Sequence, residues 1–254
     1  MDLTNKTAIV TGSAVGVGRQ VALDLARRGC NVVINYSRSE DDAKEAVRLV
    51  EEAGAQALLV RADVSDDAQV QSMVRQCVGR FGGLHVLVNN AATTHFVNFA
   101  DLDGMKSEMW DDIFAVNVKG AFFCARAASK AIRGSGGGAI VNVASVAGQR
   151  AIGSSIAYAA SKAALINMTV GLARVLGPEI RVNAVAPGFI ETRWLRNGLG
   201  ERVYELAKEA ETKRAPLKAV ATPETVSQVI LALIESADMV TGQCITVDGG
   251  VGIA

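Results

Sequence analysis

The chain has 254 residues, half of them hydrophobic, enough for one large α/β domain with a sizeable core. Its 26 Lys and Arg balance 26 Asp and Glu, so no basic surface points to nucleic acid or an anionic membrane as the main partner. No run approaches the roughly 20 apolar residues of a membrane span, no secretory signal is visible, and Cys30, Cys77, Cys124 and Cys244 stand far apart without a CxxC pair. The cysteines read as free buried thiols in a reducing compartment, which places the protein in the cytoplasm with no metal site.

Short apolar runs alternate with longer amphipathic ones. In chain order the spacing predicts a strand at Thr7–Val10, a helix over Gly16–Arg28, a strand at Asn31–Asn35 and a helix over Glu40–Ala53. A strand at Ala57–Arg61, a helix over Asp66–Phe81, a strand at His85–Asn89 and one long helix over Trp110–Arg133 follow. The remainder reads as strand Ala139–Val143, helix Ser155–Val175, strand Arg181–Val185, helix Pro223–Ile234 and strand Cys244–Val247. The strands are continuous rather than alternating hydrophobics, the pattern of a parallel sheet covered on both faces. Seven strands alternating with helices predict a single-domain, doubly wound (Rossmann-type) α/β fold across residues 1–254. The rhythm breaks at about 189–218, where Trp194, Leu195, Leu199, Val203 and Leu206 recur at near-helical spacing. An insertion beyond a strand's C-terminal end is where a substrate lid would sit.

The first strand runs into Gly12-Ser13-Ala14-Val15-Gly16-Val17-Gly18 and then into a helix. Glycines there let the backbone approach a pyrophosphate, whose charge a helix N-terminus attracts. The second strand ends in Asn35-Tyr36-Ser37-Arg38, with no acid before Glu40. A carboxylate at that place would bind a ribose 2′-hydroxyl and repel a 2′-phosphate, whereas Arg38 and Ser37 suit the phosphate, so NADP(H) is preferred and NAD(H) remains possible. Asp63-Val64 closes the third strand and faces an expected adenine, with Asp63 also placed to cap the following helix. Asn90-Ala91-Ala92 leaves the fourth strand as a floor for the cofactor.

Tyr158 stands four residues before Lys162, about one helical turn, so phenol and ammonium share a face. A cation beside a phenol is expected to lower its pKa. Ser145, thirteen residues upstream of Tyr158, can hold the oxygen whose proton is exchanged. Pro187-Gly188 closes the sixth strand, followed by Ile190 and Thr192. His95, Phe96, Gln149, Ile152, Phe189, Trp194 and Leu195 lie just beyond strand ends and are expected to line a substrate pocket for a medium-sized, partly apolar carbonyl compound.

Assembled in this order, the chain resembles the short-chain dehydrogenase/reductase family along nearly its whole length, most closely the 3-oxoacyl-[acyl-carrier-protein] reductases. The resemblance rests on Thr11–Gly18, Asp63-Val64, Asn89–Ala91, Asn117, Ser145, Tyr158 with Lys162, Pro187-Gly188 and Thr192, and on the Val185–Thr192 and Val240–Gly250 segments. It implies a catalytic set of Asn117, Ser145, Tyr158 and Lys162. In that set Tyr158 exchanges the proton, Lys162 also holds the nicotinamide ribose, and Asn117 distorts its helix and holds a relay water. It further implies a homotetramer and reduction of a 3-oxoacyl thioester, with an acyl carrier protein as a possible partner. An alcohol, polyol or steroid dehydrogenase and a non-catalytic NADP-binding sensor are the other readings left open. The chain departs from the family pattern at Ala92, where a glycine is usual, and at Val15, where a cation is frequent. Around Lys130, Arg133 and Arg174 the basic cluster that would steer an acidic carrier is thin.

Overall fold

Aliphatic and β-branched runs form all seven strands of the computed structural model, which describes residues 1–254. The strands are β1 (Thr7–Val10), β2 (Asn31–Tyr36), β3 (Ala57–Arg61), β4 (Val86–Asn89), β5 (Gly138–Val143), β6 (Ile180–Pro187) and β7 (Cys244–Val247). They pair in parallel in the order β3-β2-β1-β4-β5-β6-β7. Consecutive strands leave β1 in opposite directions, so the order reverses between β1 and β4 and opens a crevice at their C-terminal ends. Every residue of β1 and β4 is buried, as continuous apolar strands require when both faces are covered.

The regular helices are α1 (Gly16–Ala26), α2 (Glu40–Glu52), α3 (Asp67–Phe81), α4 (Ser107–Phe114), α5 (Ala121–Gly134), α6 (Ala147–Arg150), α7 (Ile156–Leu176), α8 (Arg193–Leu199), α9 (Glu201–Arg214) and α10 (Pro223–Glu235). One face of the sheet packs on α1, α2 and α10 through Val21, Leu25, Ala43, Val50, Ile230 and Ile234. The opposite face packs on α3, α5 and α7 through Met73, Cys77, Cys124, Ala128, Leu172 and Leu176. Local signals set several boundaries. Asp66 caps α3 by accepting from the N–H groups of Ala68 and Gln69, and Gly82 ends that helix at φ +79°. Thr222 and Thr225 form a reciprocal capping pair at α10, with Pro223 at its first position.

Three expectations are corrected. The long helix expected over Trp110–Arg133 is α4 and α5 joined by a π-helical segment, Ala115–Gly120, because an extra residue widens the turn around Asn117. The cap of α3 is Asp66 rather than Asp63, whose carboxylate instead accepts from the N–H and hydroxyl of Ser65. Finally, α7 is long and apolar enough by length and composition to cross a membrane. It lies against the sheet with Leu165, Leu172, Ala173 and Leu176 buried. The region at 189–218 carries α8 and α9, two short helices over the C-terminal edge of the sheet. Cys30, Cys77 and Cys124 are buried free thiols, and burial pushes each up to about 12; Cys244 is partly exposed.

Candidate active site

A cleft of about 1370 Å³ runs across the C-terminal ends of β1, β2, β4, β5 and β6. Its cofactor half is built by the turn between β1 and α1. Gly12 and Gly16 sit at φ +61° and +58°, left-handed values that glycine adopts without strain. A Cβ on Gly12 would lie 3.0 Å from the Cα of Ala91, whereas one on Gly16 would find only the Thr192 methyl, at 3.8 Å. The turn is thus closed beneath and open above. No side chain caps α1 and no acid lies in its first turn, so its N-terminal N–H groups are left for an anion. These features fit the pyrophosphate of a dinucleotide.

The loop is held by a polar lattice. Asn35 accepts from the Gly12 N–H at 3.1 Å and donates to the Ala62 carbonyl at 3.0 Å. Asn90 donates to the carbonyls of Thr11 and Gly12 at 2.9 and 3.0 Å, and the Thr11 hydroxyl accepts from the N–H groups of Asn90 and Ala91. Asn35 and Thr11 were not singled out from the sequence. An asparagine inside a strand that must point at a glycine loop was the available signal.

Of the expected cofactor residues, Gly12, Gly16, Val17, Tyr36, Ser37, Arg38, Asp63, Val64, Asn90, Ala91, Ala92, Pro187, Gly188, Ile190 and Thr192 line the cleft. Two side positions do not. The Ser13 hydroxyl is buried, donating to the Val10 carbonyl at 2.7 Å and accepting from the Asn35 N–H at 3.0 Å. Gly18 lies behind the loop, where a Cβ would strike the Asn90 amide at 2.5 Å. Its role is helix–loop packing. Arg38 is exposed at the rim and has no ion pair.

In the reactive half, α7 begins at Ser155, whose hydroxyl accepts from the Tyr158 N–H. Ser161 donates to the Tyr158 carbonyl at 2.7 Å and accepts from the Asn117 amide at 3.0 Å. Asn117 is 1% exposed, and its amide also exchanges two hydrogen bonds with the backbone of Thr93. Both amide hydrogens are therefore committed, and the side chain cross-links the π segment, the loop after β4 and the turn bearing Tyr158. Asn117 does not line the cleft itself.

Ser145, Tyr158 and Lys162 do line it. The Ser145 hydroxyl accepts from the Ala147 N–H at 3.1 Å, which fixes it at the mouth of β5. Lys162 is 2% exposed and donates to the Val143 carbonyl at 2.8 Å. Its ammonium nitrogen is 5.6 Å from the centre of the Tyr158 ring. Burial pushes Tyr158 up to about 12, opposed only by the hydrogen bond with Ser145. Burial also draws Lys162 down to about 8. Each charge is disfavoured because the cleft wall replaces water around it.

Among the expected pocket residues, His95, Phe96, Ile152, Phe189, Trp194 and Leu195 line the cleft. His95 pairs with Asp112 at 3.2 Å. Gln149 is a correction: its amide points to β7, contacting Cys244 and accepting from the Thr246 hydroxyl at 3.2 Å, because α6 turns that face outward.

A doubly wound parallel sheet, a glycine turn at its switch point and a Ser–Tyr–Lys cluster on the adjoining strand and helix define a dinucleotide-dependent oxidoreductase. A family model described as Enoyl-(Acyl carrier protein) reductase matches residues 12–252. The chain is 41% identical over 243 residues to a protein of Streptomyces violaceoruber described as a granaticin polyketide synthase ketoacyl reductase, spanning 96% of this chain and 94% of that one. It is 36% identical over 248 residues to the 3-oxoacyl-[acyl-carrier-protein] reductase FabG of Staphylococcus epidermidis, spanning 97% and 98%. A crystal structure of a chain described as a short-chain dehydrogenase/reductase from Burkholderia xenovorans superposes with a TM-score of 0.91 at 34% identity, covering 98% of both chains. The chain belongs to the short-chain dehydrogenase/reductase family, in its 3-oxoacyl-[acyl-carrier-protein] reductase-like subgroup, and is an oxidoreductase that uses a nicotinamide cofactor.

Proposed function

We propose that the protein reduces the carbonyl of a 3-oxoacyl thioester to a secondary alcohol with NADPH. The observation that carries the proposal is that the Ser145 hydroxyl, the Tyr158 phenol and the Lys162 ammonium meet in the cleft beside the glycine turn. A phenol that holds its proton at neutral pH can donate it to a carbonyl oxygen. The Gly12–Gly18 turn and the open N-terminus of α1 would hold a nicotinamide dinucleotide, which when bound would supply a hydride. The Tyr158 hydroxyl donates its proton to the carbonyl oxygen, and the Ser145 hydroxyl hydrogen-bonds the same oxygen as charge builds there. Lys162 then faces the phenolate left on Tyr158 and favours its presence until solvent restores the proton.

The preference for NADPH is supported by Arg38, exposed at the end of β2 without an ion pair, and by the lack of an acid beside it. Support for the thioester comes from the named activities of the two reductases above. A carrier protein is a possible donor of the acyl group, and a cytoplasmic homotetramer pairing α5 and α7 across a two-fold axis is the assembly this reading expects. Sedimentation showing only monomer at micromolar concentration would count against that assembly.

The test is loss of NADPH absorbance with acetoacetyl-CoA, compared with NADH, in wild type and Arg38→Ala. Turnover with NADPH preferred, and the preference lost in the variant, is the expected result. Wild-type preference for NADH overturns the cofactor assignment, and no turnover of any 3-oxo thioester overturns the substrate.

A further inference from the structure

The cleft beside Tyr158 is walled by aromatic rings. Trp194, on α8, lies 6.0 Å from Phe96 and 6.5 Å from Tyr158 between ring centres, with interplanar angles of 48° and 41°. Both neighbours are tilted against the indole, and Trp194 and Phe96 remain 45% and 40% exposed. Two large apolar rings left open beside a proton donor are surface that a ligand would bury. The wall is also fixed in position. A Cβ on Gly198 would lie 2.1 Å from the tip of the Phe96 ring, so that ring seats in a notch of α8 and ties the lid helix to the loop after β4.

We propose that Trp194 and Phe96 form one wall of a slot that selects carbonyl substrates bearing a planar aromatic or conjugated group next to the reacting carbon. The inference rests on the reading of Tyr158 as the proton donor. With the reacting oxygen at the Tyr158 hydroxyl, the group attached to the carbonyl carbon falls against the indole. An aliphatic chain there gains burial alone. A planar π-system gains burial and the ring–ring contact that aromatic pairs favour at centre separations of roughly 4.5–7 Å. Trp194 and Phe96 determine specificity; neither has a group that moves a proton.

The experiment uses matched phenyl and cyclohexyl substrates, presented both as 3-oxo N-acetylcysteamine thioesters and as methyl ketones. The two rings differ in intrinsic reactivity, so the readout is the change in the phenyl-to-cyclohexyl ratio of kcat/KM on substitution. In Trp194→Leu that ratio is expected to fall about fivefold, the size of one aromatic contact, while Trp194→Phe retains most of it. Phe96→Leu, on the same wall, is expected to lower the same ratio. A ratio unchanged in both leucine variants, or an equal loss for both rings, overturns the slot. Inert thioesters with ketones that show the ratio change would sink the thioester reading and uphold the slot. Thioester turnover with an unchanged ratio does the reverse, and no turnover of any carbonyl overturns both.

Discussion

Tyr158 and Lys162 share one face of α7, and burial displaces both in the direction that suppresses charge. For Tyr158 the consequence is catalytic. Tyr158→Phe removes the only proposed proton donor while keeping the ring, so turnover is expected to fall at least about a hundredfold with cofactor affinity nearly unchanged. Steady-state kinetics and cofactor titration check this, and retention of more than about a tenth of the rate refutes the proton role. For Lys162 the consequence is a pH-dependent stability. Below about 8 both folded and unfolded chains carry the proton, and the folded state bears the cost of a buried ammonium; between about 8 and 10.5 only the unfolded chain binds it, so stability rises with pH. Tyr158 acts oppositely between about 10 and 12, where the folded chain alone keeps its proton and stability falls. Urea denaturation of wild type against Lys162→Met should show the wild type gaining on the variant from pH 8 to 10, by at most on the order of 3 kcal/mol. Parallel curves would mean that the lysine is not displaced.

At the level of elements, the π segment does what a regular helix cannot. Its extra residue turns Asn117 inward, where the amide ties Thr93 and Ser161 together and so braces the turn that presents Tyr158. Asn117→Ala leaves the Thr93 N–H and carbonyl without that partner. A stability loss of about 2–3 kcal/mol is expected, with a fall in kcat as the turn loosens. Asp66→Ala offers the contrast. It removes the cap of α3, remote from the reaction, and should cost about 1 kcal/mol with kcat retained. Denaturant titration alongside kinetics separates the two cases. A kcat loss from Asp66→Ala, or none from Asn117→Ala, would reverse the assignment of which element supports the chemistry.

Across the whole molecule, the cleft is bridged. Arg193 at the start of α8 donates to Asp42 of α2 at 2.8 Å, joining the lid to the opposite rim over the dinucleotide half of the crevice. Lys208 of α9 pairs with Glu191 and so ties α9 back to the segment that enters α8. Exposed pairs are worth little, about 0.2–1 kcal/mol, so Asp42→Asn is expected to speed cofactor release by no more than about fivefold. Stopped-flow displacement of NADPH measures this, and the effect should shrink at high salt. An unchanged release rate at low salt would show that the bridge does not restrain the lid.

Apolar runs located the seven strands to within two residues at either end; for the inner strands this follows because a strand buried on both faces has no alternative but a continuous apolar run. Glycine, proline and the Tyr–Lys spacing likewise announced the cofactor turn and the reactive pair, since backbone conformation and one helical turn are local properties. What the chain order concealed was decided by contacts between distant segments. The inward turn of Asn117 depends on Ser161 and Thr93, the outward turn of Gln149 on β7, and the aromatic wall on Gly198 receiving Phe96 from just over a hundred residues away. The ionisation of Tyr158 and Lys162 depends on the folded cleft as well as on their spacing, because desolvation acts on each group separately and depends on how completely the rest of the protein excludes water.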